Sequence, residues 1–273
     1  MNNLHRELAP VSEEAWAQIE QEAARTARRY LAGRRIADVS GPAGETLAAV
    51  GTGRLEEADT LAEGVQIWQR QSLRLVQLRA PFTLSRAEID AVERGAQDAD
   101  WDPVRAAARQ IALAEDLAIF SGFPQAGITG IVPGAANTTL VLPAELADYP
   151  AIFAGAISEL RTAGVDGPYS AVLSADVYTA LSQASSHGYP VIQHVRRLLD
   201  GDIIWAPAIS GAIVVSMRGG DFSLHLGQDL SIGYDSHTAT EVTLYLQESM
   251  TFQLLAGEAA VPLAASKASA RTA

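Results

Sequence analysis

Apolar residues recur at helical spacing over residues 13–32, where Trp16, Ile19, Ala23, Ala27, Tyr30 and Leu31 fall on one side. Ser12 is placed to cap the start of this helix. Glu13 and Glu14 complement the positive end of its dipole, and Arg25, Arg28 and Arg29 lie towards the negative end. Gly33 stands where a helix-ending glycine is expected. Residues 34–42 read as a short extended piece ending in a turn. Over residues 47–78 the period changes to two: Val65, Ile67, Leu73 and Leu75 share one parity, and Gln66, Arg70, Ser72 and Arg74 the other. A two-stranded ribbon of this kind cannot bury a core by itself. It is therefore either an arm that pairs with a neighbouring subunit or an exposed hairpin.

Ser85 and Glu88 have capping-box spacing for a helix ending near Gly95. A longer helix is expected after it, capped by Asp102, with Pro103 in its first turn and Gly122 just past its end. Its apolar stripe is Val104, Ala108, Ile111, Leu117 and Ala118. Further helices are predicted over 147–163, 176–184 and 191–199, with a buried strand over 170–174 and a loop over 185–190. The remainder reads as strands over 203–205, 212–217, 222–226, 232–234 and 241–255, and residues 264–273 as a frayed tail. Helices and strands interleave, so the class is α+β.

Composition narrows the function classes. With 273 residues, 48% of them hydrophobic, the chain can bury a substantial core. Its net charge of −12 repels phosphate backbones and anionic lipid, so neither nucleic acid nor a membrane surface is expected as a partner. Residues 117–144 lack charge, but Pro124, Pro133 and Pro143 interrupt them, which excludes a continuous membrane helix. The charged first residues lack the apolar stretch of an export signal. Cysteine is absent, which removes thiolate nucleophiles and thiolate metal sites. Lys267 is the only lysine, so the body of the chain has no Schiff-base or phosphate-loop lysine.

Catalytic constellations are also missing. His5, His187, His194, His225 and His237 form no helical metal pair. Glu115 and Asp116 are adjacent on a helix and point about 100° apart, so they cannot share one proton; an ion pair with an arginine is expected instead. G-x-S-x-G does not occur. Arg218-Gly-Gly-Asp221 and Leu226-Gly-Gln-Asp-Leu230 are turns between strands. No catalytic residue, metal or cofactor is assigned.

Several segments, in order, resemble the encapsulin family of linocin-like proteins: LHRELAPVSEEAWAQIEQEA, GRRIADVSGP, VQLRAPFTL, AEDLAIFSG, GVDGPYSAVLS, HGYP and RGGDFSLHLGQDLSIGY. The quoted segments run from residue 4 to residue 234, and the resemblance extends to about residue 263. The resemblance implies an HK97-like phage major-capsid fold with a peripheral domain, an axial domain and an extended loop. Its implied boundaries are 1–46 for the N-terminal helix and arm, 47–80 for the extended loop, 81–134 for the peripheral domain with its spine helix, 135–220 for the axial domain, 221–263 for further peripheral strands and 264–273 for a flexible tail. It also implies a cytoplasmic icosahedral shell of one repeated chain around a cargo enzyme, a dye-decolourising peroxidase or a ferritin-like protein, recruited by a C-terminal targeting peptide. The family's peptide groove maps here onto Ala27, Leu31, Arg34, Asp38, Leu230 and Ile232. Either Arg34 or Asp38 fixes the peptide's orientation by charge-assisted bonds, or Leu31 and Ile232 are plain core and Arg34 pairs with Asp38. Ser185, Ser186, His187, Gly188 and Tyr189 map near the five-fold pore. A phage or prophage capsid protein is the alternative within the fold, and a peptidase or bacteriocin the alternative outside it.

Overall fold

Ser12 accepts a hydrogen bond from the Ala15 N–H at 3.3 Å and starts helix α1, Glu13–Tyr30. The computed structural model, which describes residues 3–186 and 188–265, opens with this helix after a short N-terminal turn. Ala15, Ile19, Ala23 and Ala27 form its buried stripe, while Trp16 and Tyr30 are half-buried. Its end departs from expectation. Gly33 does not close the helix in a left-handed conformation but begins a 3-10 turn, Gly33–Arg35. Gly33 instead leaves room for Ile119: a Cβ there would lie 2.5 Å from Ile119 Cδ1, so that buried side chain would have to shift. The chain continues through β1, Asp38–Ser40.

The alternating segment forms two long strands, β2 (Ala49–Ala58) and β3 (Ile67–Arg74), paired antiparallel as a separate ribbon. Strand β4, Val76–Ser85, follows, with Ala80, Phe82 and Leu84 buried on one face. Helix α2 is Arg86–Glu93. The expected capping box is not formed: the Ser85 side chain caps nothing, and the Glu88 carboxylate accepts from the Asp100 N–H instead. Helix α3, Asp102–Phe120, is capped one residue earlier than expected, with Asp102 inside its first turn and Asp100 accepting the Asp102 N–H. Ala107, Ala108, Ile111 and Ala112 are small or slim enough to let α1 lie close against it. After α3 the chain turns at Gly122, whose φ is +84°, with Gly130 packed directly against it. Then come α4 (Ile131–Gly134) and β5 (Leu140–Val141), elements the turn-rich sequence did not reveal. That stretch is only partly buried: Leu117, Phe123, Val132 and Val141 are exposed.

The next part matches expectation closely: α5 (Tyr149–Thr162), β6 (Tyr169–Leu173), α6 (Ala175–Gln183, capped by Ser174) and α7 (Val191–Leu198). Between α6 and α7 the loop folds into a miniature hairpin, β7 (Ser185–Ser186) against β8 (Tyr189–Pro190). Strands β9 (Ile203–Trp205), β10 (Ala212–Ser216), β11 (Phe222–Leu226), β12 (Ser231–His237) and β13 (Glu241–Leu254) complete the expected series. A final strand, β14 (Ala260–Ala264), was not foreseen.

These strands build two five-stranded sheets. In the first, β13 pairs with β4 along one edge and with β12 and then β11 along the other, and β1 adds in parallel to β11. Helices α1, α2 and α3 pack with this sheet around Ile19, Phe82, Leu84, Ile111, Val242 and Leu244. In the second, the order is β5-β14-β10-β6-β9, with β6 and β10 buried along their whole length. The last strand therefore crosses back: residues 260–264 join the sheet of 169–216 rather than the strands that precede them. Beyond Ala265 the frayed-tail expectation, like His187, lies outside the described residues.

Candidate binding groove

One flank of α1 and the neighbouring strand β12 leave a groove of about 380 Å³ between them. Ala23, Ala27 and Leu31 line it from α1, and Leu230, Ile232 and Leu246 from the sheet side. Ile232 and Leu246 are direct cross-strand partners, so both place their side chains on the same face. The N-terminal segment lies beside them, its Leu4 carbonyl accepting the Tyr234 N–H at 2.8 Å. An ion pair between Arg6 and Glu20, 2.6 Å, ties that segment to α1, and Arg6 also covers the Trp16 ring. The lower wall is compact: Ala27, Leu31 and Ala112 pack together with Leu230 and Tyr30 against them. This is an apolar trough with polar ends, a form suited to an extended peptide carrying aliphatic side chains.

Arg34 stands at one end of the groove. The 3-10 turn directs it beneath α1, where its Nε and Nη2 bond the fully buried Glu115 at 2.6–3.0 Å. Nη2 also reaches Glu248 at 2.9 Å, and Nη1 reaches Asp229 at 2.8 Å. Of the five N–H groups of a guanidinium, one on Nη1 remains for a ligand. Burial by itself would favour neutral Arg34, but the bonds to Glu115 and the charges of Glu115 and Glu248 outweigh it and hold the guanidinium above its ordinary pKa. Glu248 is pushed well above the usual carboxylate range, first by burial and then by the Glu115 charge. Its Oε1 has no hydrogen-bond partner among the described residues. Asp116 is raised to about 7 by burial, against the lowering effect of hydrogen bonds from Gly33 and Ala32. Those two bonds, 2.8 and 3.0 Å long, fasten the end of α1 to α3.

Ala27, Leu31, Arg34, Leu230 and Ile232 thus come together in one groove, and Asp38 does not. Asp38 lies on β1 and accepts the Gly220 N–H at 2.6 Å, and Arg34 pairs with Glu115, Asp229 and Glu248, so the alternative of an Arg34–Asp38 pair is not formed. The role of Asp38 is to tie β1 to the turn before β11. The expected ion pair at Glu115 is present, whereas Asp116 serves backbone N–H groups. Sequence reasoning missed Leu4, Arg6, Glu20, Asp229 and Leu246. Only Leu246 had a usable signal, its parity within a long apolar strand; the others meet the groove through tertiary packing.

The hairpin assigned to the pore is a compact unit. Ser185 pairs with Pro190 and Ser186 with Tyr189, and Gly188 has φ +79° at its tip. Tyr189 meets His194 edge-on at 4.8 Å, with the Arg197 guanidinium 5.0 Å from its ring centre. Among the other histidines, His225 contacts Ser40 and Ser223, and His237 contacts Tyr234. Among the described residues no cluster of His, Asp and Glu could hold a metal ion, and no helix is long and apolar enough to cross a membrane.

Comparison with known proteins gives a family, a close relative in sequence and two likenesses in fold. Residues 1–251 match the family model Linocin_M18, described as "Encapsulating protein for peroxidase". The type 1 encapsulin shell protein of Rhodococcus erythropolis is 57% identical over 264 residues, which cover 97% of this chain and 100% of the relative. Among solved structures, the virus-like particle of Pyrococcus furiosus superposes with a TM-score of 0.67 at 13% identity, covering 92% of this chain and 99% of the other. The capsid of the Myoviridae phage XM1 superposes with a TM-score of 0.53 at 11% identity, covering 86% and 92%. The fold is therefore that of the HK97-like phage capsid proteins.

Proposed function

The chain belongs to the encapsulin shell-protein family, and from that premise we propose that it assembles with copies of itself into a closed icosahedral shell around a cargo protein. The observation that carries this reading is the near-complete match, along both chains, to a type 1 encapsulin shell protein. The chain's part is mechanical: it packs, tiles and binds, and performs no covalent step. In this reading residues 81–134 with 221–263 form the peripheral domain, 135–220 the axial domain and 47–80 the extended loop that pairs between subunits. The shell is cytoplasmic.

Cargo enters by its tail. The apolar trough of Ala27, Leu31, Leu230 and Ile232 accepts aliphatic side chains of a C-terminal targeting peptide, and the free Arg34 N–H fixes one carbonyl or carboxylate of it. A single groove of this size needs only modest affinity, because a closed shell presents many copies to an oligomeric cargo. A dye-decolourising peroxidase is the leading cargo class, in keeping with the matched family's description, and a ferritin-like protein the second. The hairpin of residues 185–190 borders the five-fold opening.

Negative-stain electron microscopy of the chain expressed alone is the deciding experiment. Uniform closed particles eluting near the void volume are expected; a monomer that stays monomeric at high concentration would contradict the shell reading. The phage-capsid alternative predicts particles filled with nuclease-resistant nucleic acid, which a net charge of −12 per chain disfavours.

A further inference from the structure

The opposite flank of α1 carries a second groove, about 340 Å³ in volume, formed with α3 and lined by Arg25, Thr26, Arg29, Tyr30, Arg105 and Arg109. Four arginines converge here in a chain whose net charge is −12. Gathering guanidiniums raises their mutual repulsion unless anions answer them. Two are answered: Arg105 pairs with Asp102 and Glu22, and Arg25 pairs with the same Glu22. Arg29 and Arg109 have no carboxylate partner among the described residues. Four guanidiniums against two carboxylates leave two positive charges unanswered in the groove.

Those two arginines are nevertheless held in place. Arg29 lies 6.0 Å from the Trp205 ring centre and Arg109 lies 5.4 Å from that of Tyr30. The two rings are in contact, 5.4 Å between centres. A guanidinium resting on a ring face is restrained in orientation while its N–H edge stays free, and its fork matches two oxygens of one phosphate. The electrostatics and the geometry thus point the same way: an excess of two positive charges, two restrained forks and a cavity of small-molecule size.

We propose that this groove binds a small molecule through a doubly charged phosphate group, with Arg29 and Arg109 as its forked contacts and Thr26 as a hydroxyl donor on the wall. The overall negative charge is no obstacle to a small ligand, whereas it opposes a long polyanion that would also run across acidic surface. The proposal is independent of the shell reading and of the peptide groove on the other flank.

The test is calorimetric titration of the purified, cargo-free full chain with inorganic phosphate, and separately with adenosine monophosphate, at constant ionic strength. Saturable binding is expected. The double substitution Arg29→Gln/Arg109→Gln should weaken it at least about tenfold, since each charged fork contact carries a factor of that order. Arg161→Gln, which removes another ring-stacked arginine, over Tyr169, should leave the affinity unchanged. Should the double variant fail to fold, Arg109→Lys keeps the charge but loses the fork, and an affinity drop of about fivefold or more is expected. Tighter binding of the nucleotide than of phosphate identifies a phosphorylated organic ligand; equal affinities identify free phosphate. Absence of saturation with either probe, or equal affinities in the double variant and in Arg161→Gln, overturns the proposal.

Discussion

Asp116 combines burial with two backbone hydrogen bonds, so its protonation is coupled to how the end of α1 is held. Its pKa is about 7 in the folded chain and about 3.9 when unfolded. Between those values the folded state binds a proton that the unfolded state has lost, so stability falls as pH rises through that window. Glu248, raised in the same direction, adds to the slope. Asp116→Asn should therefore flatten the decline in thermal midpoint between about pH 4 and pH 7; an unaltered slope would assign the effect elsewhere. Groove membership can be separated from its surroundings by a pair of variants. Leu31→Asp puts a charge in the apolar trough and should abolish capture of a cargo tail. Asp38→Ala, which loses one exposed bond to Gly220, should cost about 0.5–1.5 kcal/mol of stability and leave capture intact. Loss of capture in Asp38→Ala would move the docking site.

At the scale of elements, α1 is the movable-looking part that is in fact fixed. A helix with a stripe of alanines gains little from burying them, and its position is set by what its C-terminal turn meets. Asp116 bonds to Ala32 and Gly33, Glu115 bonds to Arg34, and the missing side chain of Gly33 lets Ile119 fit beneath. The turn that follows α3 is fixed more tightly still. A Cβ on Gly130 would collide with the backbone of Ser121 and Gly122, atoms that cannot rotate aside. Gly130→Ala should cost more than about 3 kcal/mol, the upper end for overpacking, and show as loss of soluble protein. Near-normal yield and melting temperature would mean that the backbone there relaxes freely.

For the whole molecule, the β2–β3 ribbon is the feature a single chain cannot account for. Leu61 is 91% exposed and Leu55 and Trp68 are more than half exposed. Such a ribbon is marginal by itself and gains stability by pairing with something else. Replacing residues 51–72 with a short glycine-serine turn should leave the rest of the chain folded, with an unchanged helical circular-dichroism signal for the remainder, because both cores lie outside the ribbon. Closed particles should disappear. Particles of normal size from the shortened chain would show that the ribbon is dispensable for assembly.

The sequence alone determined the elements whose signals are local. Helices α1, α3, α5, α6 and α7 and most strands could be read from periodicity and from cues such as Ser12, because a 3.6-residue or two-residue period is imposed by one element's own burial. The ordered segments also carried the family, and with it the capsid fold; of the six residues mapped to a peptide groove, five line one cavity. What only the tertiary structure decided was which polar groups face one another. The resemblance mapped Asp38 to the groove beside Arg34, yet Arg34 turns into the groove while Asp38 accepts the Gly220 N–H on β1. Arg34 meets Glu115 and Glu248 across separations of 81 and 214 residues, and Ser85 and Glu88 kept capping-box spacing without forming the box. Strand β14 was hidden because its partner β10 is supplied by a distant part of the chain. Hydrophobic burial leaves a periodic mark along the chain; a hydrogen bond between distant residues depends on where each is delivered in space, and leaves none.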